Sequence, residues 1–116
     1  MNKINQTLKE TFLEVLKNYK KRDFKSAETY CYKILSIDPN HFDSIQMLAT
    51  IAGVNRNFGK ATELLKKAIK IKPKSTLAIH NLGTAYKELG NLNEAMSYYK
   101  KVLQIDPKHT NAHYNL

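Results

Sequence analysis

The spacing of the prolines is the strongest constraint on how this chain can fold. The three prolines, Pro39, Pro73 and Pro107, lie 34 residues apart each time, and the chain contains no others. The same shift aligns three further sets of residues: Ala27, Ala61 and Ala95; Leu35, Ile69 and Leu103; and Ile37, Ile71 and Ile105. A fixed period of this length predicts stacked structural repeats.

Each repeat is predicted to contain two helices. Asp23, Asn57 and Asn91 are good N-cap residues, and apolar residues follow each of them at intervals of three and four. Asn91 also has Glu94 three positions later, which is a capping-box pattern. The residue before a proline is pushed out of the helical region, so each helix ends just before its proline. A second helical pattern lies upstream of each cap, and no segment has a strand pattern. The fold class is therefore all-α.

The turn between the two helices of a repeat favours a residue in the left-handed backbone conformation. Gly90 directly precedes the third cap and suits that conformation. Arg22 and Arg56 hold the equivalent positions, where a non-glycine residue either costs about 1 kcal/mol or adopts a different turn.

The third unit carries a recognisable signature, formed by Leu82, Gly83, Tyr86, Ala95, Tyr99 and Pro107. With these residues the chain resembles the tetratricopeptide repeat family over practically its whole length. The resemblance implies helix-turn-helix repeats stacked as a right-handed superhelical solenoid. It divides the chain into repeats at 8–41, 42–75 and 76–109, with 110–116 as the truncated start of a fourth. The first repeat has a divergent opening helix, because Glu14 and Val15 replace the family's leucine and small residue.

Composition excludes several other classes of protein. The chain of 116 residues is 42% hydrophobic, which is too apolar for a disordered chain, and it has no uninterrupted apolar run that could span a membrane. The N-terminus has no signal-peptide core, so we expect a cytoplasmic protein with no membrane partner. A single cysteine, Cys31, cannot form an internal disulfide and aligns with a buried stripe.

No catalytic, cofactor or metal site is predicted. His109 and His113 are four residues apart, but no cysteine or carboxylate lies close enough in sequence to complete a metal site. His80 has no serine, cysteine or aspartate at a spacing that would form a triad. No glycine-rich phosphate loop is present. The sequence therefore predicts a protein that is not an enzyme.

The chain carries a formal net charge of +9, and 17 of its 19 basic residues are lysine. Six lysines lie opposite the apolar stripes of the second helices and are expected to face solvent: Lys33, Lys66, Lys67, Lys70, Lys100 and Lys101. Such a field can attract nucleic acid, but recognition usually adds arginine forks, and only Arg22 and Arg56 are present. Nucleic-acid binding is therefore the less expected use of this surface.

The family resemblance implies that the first helix of each repeat lines a concave groove that binds peptides. Carried over residue by residue, the groove consists of Phe12, Leu16, Asp43, Gln46, Met47, Thr50, His80, Asn81, Thr84, Lys87 and Asn115. Some relatives grip a chaperone's C-terminal carboxylate with lysine and asparagine, but Phe12 and Leu16 stand where the first of these residues would be. Other relatives use an asparagine at the position of Asn81 to hold a peptide backbone.

Two functions remain open. The first is a protein-protein interaction module that binds a peptide or protein segment in the groove. The alternative is a structural or self-assembly array that positions a downstream domain, such as a glycosyltransferase-like or sulfotransferase-like one. The sequence does not identify the partner.

The C-terminal end is predicted to self-associate. Residues 110–116 are too few for a stable isolated helix, which needs about 12 to 15 residues, and a chain that ends there lacks a capping helix, so we expect a fragment of a longer protein. Tyr114 and Leu116 should pack against another copy, with apolar atoms of Leu92, Met96, Tyr99 and Leu103 left partly exposed. Light scattering over a concentration series tests this expectation. A chain that stays monomeric at millimolar concentration would contradict it.

Overall fold

The computed structural model describes residues 2–109 and residue 112, and among them it contains helices and turns but no strand. The six helices are α1 (Asn2–Lys20), α2 (Phe24–Ile37), α3 (Phe42–Val54), α4 (Phe58–Ile71), α5 (Thr76–Glu88) and α6 (Leu92–Ile105). The helices α2, α4 and α6 begin 34 residues apart, as do α3 and α5. The all-α helical repeat fold is confirmed, while the division at 8–41, 42–75 and 76–109 stays a prediction.

Helices that are neighbours in sequence are neighbours in space. The pairs α1–α2, α3–α4 and α5–α6 make the largest contacts, and α2 packs on α3 as α4 packs on α5. The result is an elongated stack that measures 43 × 28 × 21 Å. None of the described helices is both long enough and apolar enough to cross a membrane.

Side-chain caps fix where most of the helices begin. Asp23 accepts a hydrogen bond from the Ser26 N–H at 3.1 Å, and Asn57 accepts one from the Lys60 N–H at 3.3 Å. The predicted capping box at Asn91 is wrong, because this side chain makes no cap hydrogen bond. Its backbone angles match those of the other two caps, so the difference lies in the side chain alone.

The turns within the repeats all use the left-handed conformation. Gly90 has φ of 84°, and the two arginines adopt it as well, with φ of 63° at Arg22 and 60° at Arg56. Each arginine guanidinium lies 5.3 Å from the centre of the next aromatic ring, over Phe24 in one repeat and Phe58 in the other. This cation–π contact offsets part of the backbone cost.

Small residues allow the paired helices to approach closely. Ala27, Ala61 and Ala95 are buried where the two helices of each pair cross. Val15 holds the position that Ala49 and Gly83 hold in the later repeats, and it is fully buried in the core. The first helix therefore keeps the register of the others and accommodates a larger side chain.

At the third crossing Gly83 lies against Tyr99, which is buried and not partly exposed as the sequence predicted. A Cβ added at Gly83 would lie 2.9 Å from Tyr99 Cε1 and 3.3 Å from the Ala95 carbonyl oxygen. The Tyr99 ring is itself fixed, because it is buried and its hydroxyl lies 3.0 Å from the Thr84 hydroxyl. Neither the Tyr99 ring nor the Ala95 carbonyl can therefore move aside without a cost in stability.

Substitution of two of the helical glycines, Gly83 and Gly53, should have opposite effects on stability. Gly83→Ala should lower the free energy of unfolding by about 1 to 3 kcal/mol, because the new methyl group overpacks the crossing. Gly53→Ala is the matched control: a Cβ there meets nothing within 4 Å, so removing a helical glycine should raise stability by about 0.5 to 1 kcal/mol. Urea denaturation measures both. Equal effects of the two substitutions would contradict the packing argument.

Candidate functional site

A cavity of about 360 Å³ lies where α3, α4 and α5 meet. Its floor is apolar and consists of Ala49, Phe58, Ala61, Leu65 and Ala85. Thr50, Asn81 and Thr84 also line it, so three of the predicted groove residues are brought together around one cavity. We refer to this site as the α3–α5 cavity.

The polar groups of the cavity are partly engaged already. The Thr50 hydroxyl donates to the Gln46 carbonyl at 3.0 Å, and the Thr84 hydroxyl pairs with the Tyr99 hydroxyl at 3.0 Å. Each of these oxygens retains acceptor capacity, since a hydroxyl has two lone pairs. Asn81 is half-buried beside His80, with which its side chain forms a hydrogen bond.

An ion pair lies at the mouth of the α3–α5 cavity. The Arg56 guanidinium is 3.6 Å from a carboxylate oxygen of Glu88, and both side chains line the cavity. The arginine side chain is 76% exposed, so solvent screens the pair and it contributes little to stability. The ion pair instead places a hydrogen-bond donor, Arg56, and an acceptor, Glu88, beside the apolar floor of the cavity.

Two more predicted groove residues lie at a second cavity, closer to the N-terminus. Phe12 and Asp43 line it together with Lys9, Leu13 and His41. The Phe12 ring packs on the His41 ring with their centres 5.6 Å apart. His41 is also the N-cap of α3, because its Nδ1 atom accepts a hydrogen bond from the Ser44 N–H at 3.2 Å.

The remaining predicted groove residues are dispersed. Leu16 and Lys87 are exposed, and Met47 is half-buried against the core formed by α1, α2 and α3. His80 is half-buried between the rings of Tyr99 and His109. Asn115 lies outside the described residues.

Gln46 differs from the expectation that it faces an open groove. Only 8% of it is exposed, and within the described part of the chain neither of its amide atoms has a hydrogen-bond partner. Ser44 and Ile45, which precede it on α3, are fully buried as well. Because three consecutive helical residues point in different directions, their burial shows that this turn of α3 is enclosed on more than one side. An amphipathic pattern with one buried face does not predict this.

Burial shifts the pKa values of His80 and Cys31. Burial lowers the pKa of His80, and the nearby charge of His109 lowers it further, while the hydrogen bond with Asn81 acts in the opposite direction. Burial, with a smaller effect of Glu28, raises the pKa of the Cys31 thiol to about 12. Cys31 is thus a buried thiol in the core and not an activated nucleophile.

The described residues contain no group of three His, Cys, Asp or Glu side chains arranged to hold a metal ion. His109 uses its Nδ1 atom to accept a hydrogen bond from the Ala112 N–H at 3.2 Å. The histidine with which it was paired in the sequence, His113, lies outside the described residues.

Exposed lysines of the second helices lie over two aromatic rings. Lys66 lies 5.6 Å from the centre of the Tyr86 ring, and Lys101 lies 5.6 Å from that of Tyr98. The two tyrosines stack on each other, with ring centres 5.7 Å apart and planes 2° apart. Their outer faces are occupied by lysine, so these rings are not open platforms for nucleobases.

Comparison with known proteins finds one family match and several similar solved structures. Residues 77–109 match the family described as Tetratricopeptide repeat. No curated protein sequence matches the chain significantly. Of the solved structures, the first tetratricopeptide domain of Spaghetti (RPAP3), bound to an HSP90 peptide, superimposes with a TM-score of 0.90 at 22% identity, over 96% of this chain and 88% of that one.

Two other structures give the same result. The N-terminal domain of stress-induced protein-1 from C. elegans has a TM-score of 0.86 at 16% identity, over 99% of this chain and 96% of that domain. The O-GlcNAc transferase of Thermobaculum terrenum has a TM-score of 0.87 at 23% identity, over 95% of this chain. This chain spans only 21% of the transferase.

These findings define a helical repeat protein of the solenoid class. Residues 77–109 match a tetratricopeptide repeat, and the described helices share the fold of solved tetratricopeptide repeat domains.

Removal of the unpaired amide of Gln46 should stabilise the fold. A buried polar group without a partner costs about 1 to 3 kcal/mol, and Gln46→Met keeps the length of the side chain while removing both polar atoms. We therefore expect the free energy of unfolding to rise by about 1 kcal/mol in urea denaturation. Gln46→Glu is the control and should lower stability, because it buries a carboxylate at the same place. A loss of stability in Gln46→Met would mean that the amide has a partner.

Proposed function

We propose that the chain is a cytoplasmic protein-interaction module that binds a peptide or protein segment along the face of α1, α3 and α5. The observation that carries this proposal is the α3–α5 cavity, where Thr50, Asn81 and Thr84 surround an apolar floor. A cavity with an apolar floor and a few polar groups is the usual form of a binding site.

The chemistry of these side chains suits an extended peptide. The Asn81 amide can donate to a backbone carbonyl and accept from a backbone N–H. The two threonine hydroxyls add acceptors beside it, while the apolar floor accommodates a side chain of the ligand. Backbone contacts of this kind supply affinity, and the pocket for a side chain supplies specificity.

The similarity to the peptide-bound Spaghetti domain supports a groove ligand in general. It does not extend to the chaperone peptide itself, because Phe12 and Leu16 hold the positions of the first pair of carboxylate-binding residues. An apolar Phe12 and an exposed Leu16 offer no charge or amide to a terminal carboxylate.

A second candidate function is a structural array that positions a further domain. The similarity to about a fifth of the T. terrenum transferase supports it, since a comparable stack of helices there belongs to a much longer enzyme. Neither candidate assigns catalysis to the residues of this chain. Nucleic-acid binding is less favoured than both, because the tyrosines of the basic face are covered by lysines.

Binding through the groove predicts a clear difference between two single substitutions. Peptides selected from a random heptapeptide display library on the wild-type chain serve as ligands, and fluorescence anisotropy measures their affinity. Asn81→Ala should weaken binding about 3- to 10-fold, the effect of losing one or two net hydrogen bonds. Lys100→Ala, on the exposed face of α6, is the control and should leave affinity unchanged.

The reverse pattern would contradict the groove proposal and assign binding to the lysine face. Affinity measured from 50 to 200 mM salt would then distinguish the ligands, because phosphate contacts weaken steeply with salt.

A further inference from the structure

The first and second repeats have the same backbone at the end of their first helix but differ in one side chain. Tyr19 is the second-to-last residue of α1, and Gly53 is the second-to-last residue of α3, 34 positions later. The Tyr19 carbonyl accepts a hydrogen bond from the Arg22 N–H at 2.9 Å, and the Gly53 carbonyl accepts one from the Arg56 N–H at 3.0 Å. The two sites can therefore be compared atom for atom along the backbone.

In the first repeat a tyrosine ring completes an aromatic cluster. The Tyr19 ring packs on the Phe24 ring with their centres 5.4 Å apart, and the Arg22 guanidinium lies 5.3 Å from the centre of the same Phe24 ring. Tyrosine, phenylalanine and arginine thus form one packed group at the end of α1.

In the second repeat the same group lacks its tyrosine. Arg56 lies over Phe58 at the same 5.3 Å, but Gly53 has no side chain, and a Cβ built there meets nothing within 4 Å. Both Gly53 and Phe58 line the α3–α5 cavity.

The facing helix also contributes to the difference. Ile51 of α3 is buried at the junction with the first repeat, whereas the equivalent residue of α5 is the smaller Ala85. The residue of α5 equivalent to Val54 is Glu88, whose carboxylate pairs with Arg56 at the mouth of the cavity. Two reductions in side-chain size, from Tyr19 to Gly53 and from Ile51 to Ala85, thus coincide at the junction that contains the α3–α5 cavity.

We propose that the α3–α5 cavity is a recognition pocket for an aromatic side chain of the bound peptide. The ring takes the place against Phe58 that Tyr19 takes against Phe24. This inference rests on the proposed function, because the ring belongs to a segment lying in the groove.

The size and polarity of the cavity fit such a side chain. Its volume of about 360 Å³ exceeds the roughly 150 Å³ that accommodates benzene in an apolar protein cavity. The rim supplies a donor in Arg56 and an acceptor in Glu88, which suit the hydroxyl of a tyrosine. Phe58 supplies the ring face, and offset or tilted packing of two rings adds to the burial of apolar area.

The test fills the cavity with the residue that the chain itself uses at the equivalent position. A random heptapeptide display library is selected in parallel on the wild type, on Gly53→Tyr and on Gly53→Ala. Peptides enriched on the wild type and on Gly53→Ala should carry an aromatic residue at one fixed position, and this enrichment should disappear on Gly53→Tyr. Replacement of that aromatic residue by leucine should weaken binding to the wild type at least 10-fold.

The inference is overturned if the enriched peptides lack a fixed aromatic residue, or if Gly53→Tyr retains the same enrichment. Circular dichroism melting first establishes that Gly53→Tyr is folded. If it is not, Ala85→Ile replaces it, because this substitution narrows the cavity from α5 in the way that Ile51 narrows the first junction.

A second measurement separates the pocket from the groove function. Amide NMR spectra are recorded with N-acetyltyrosinamide and with N-acetylleucinamide as probes. Shifts at Thr50, Gly53 and Thr84 that appear only with the tyrosine probe and vanish in the cavity-filling variant support the pocket, even if no heptapeptide is selected. In that case only the groove function fails. If heptapeptides bind but the two probes give equal shifts, the pocket is wrong and the groove function stands.

Discussion

The close approach of the two helices in each repeat is the interaction on which the rest of the structure depends. Alanine at positions 27, 61 and 95 leaves almost no side chain between the paired helices, and all three residues are buried. At the third crossing Gly83 goes further, since the Tyr99 ring lies where its Cβ would be. Packing at this distance gains many dispersion contacts and excludes water. It also fixes α3 on α4, and with α5 packed on α4 these three helices surround the cavity.

Much of the fold could be predicted because it follows from local rules repeated at one period. Prolines end the second helices, Asp23 and Asn57 begin two of them, and the shift of 34 residues relates the units. The failure at Asn91 has a simple cause. Asn91 has the residue type and the backbone angles of an N-cap. The capping hydrogen bond also depends on the side-chain rotamer, which the sequence pattern does not specify. At the turns, Arg22 and Arg56 adopt the left-handed backbone conformation although neither is glycine. The cation–π contact of each arginine with the next aromatic ring offsets part of the backbone cost.

The candidate site was predictable only in part. Thr50, Asn81 and Thr84 lie around one cavity because helical periodicity and the repeat period together fix which residues share a face. Gln46 satisfies the same periodicity and is nevertheless enclosed, because burial depends on how the neighbouring helices close around a turn, which is a tertiary property. The cavity itself was missed, although its signal is in the sequence. Residues 34 apart predict the fold through what they share, whereas the cavity arises where they differ, at Tyr19 against Gly53 and Ile51 against Ala85.

A repeat protein can thus acquire a specific site by losing a side chain at one junction. The frame that holds the site is already present, because the first two repeats supply the same turn, the same ring and the same arginine. Removal of one tyrosine and shortening of one isoleucine then expose the face of Phe58 without altering the helices that support it. The change costs packing energy, since a cavity forfeits contacts that the filled junction retains. The cost is limited here because the cavity is open to solvent at the Arg56–Glu88 pair. The alanine crossings are unaffected by such a loss at one junction, and a partner side chain that fills the space would restore the contacts only when it is bound.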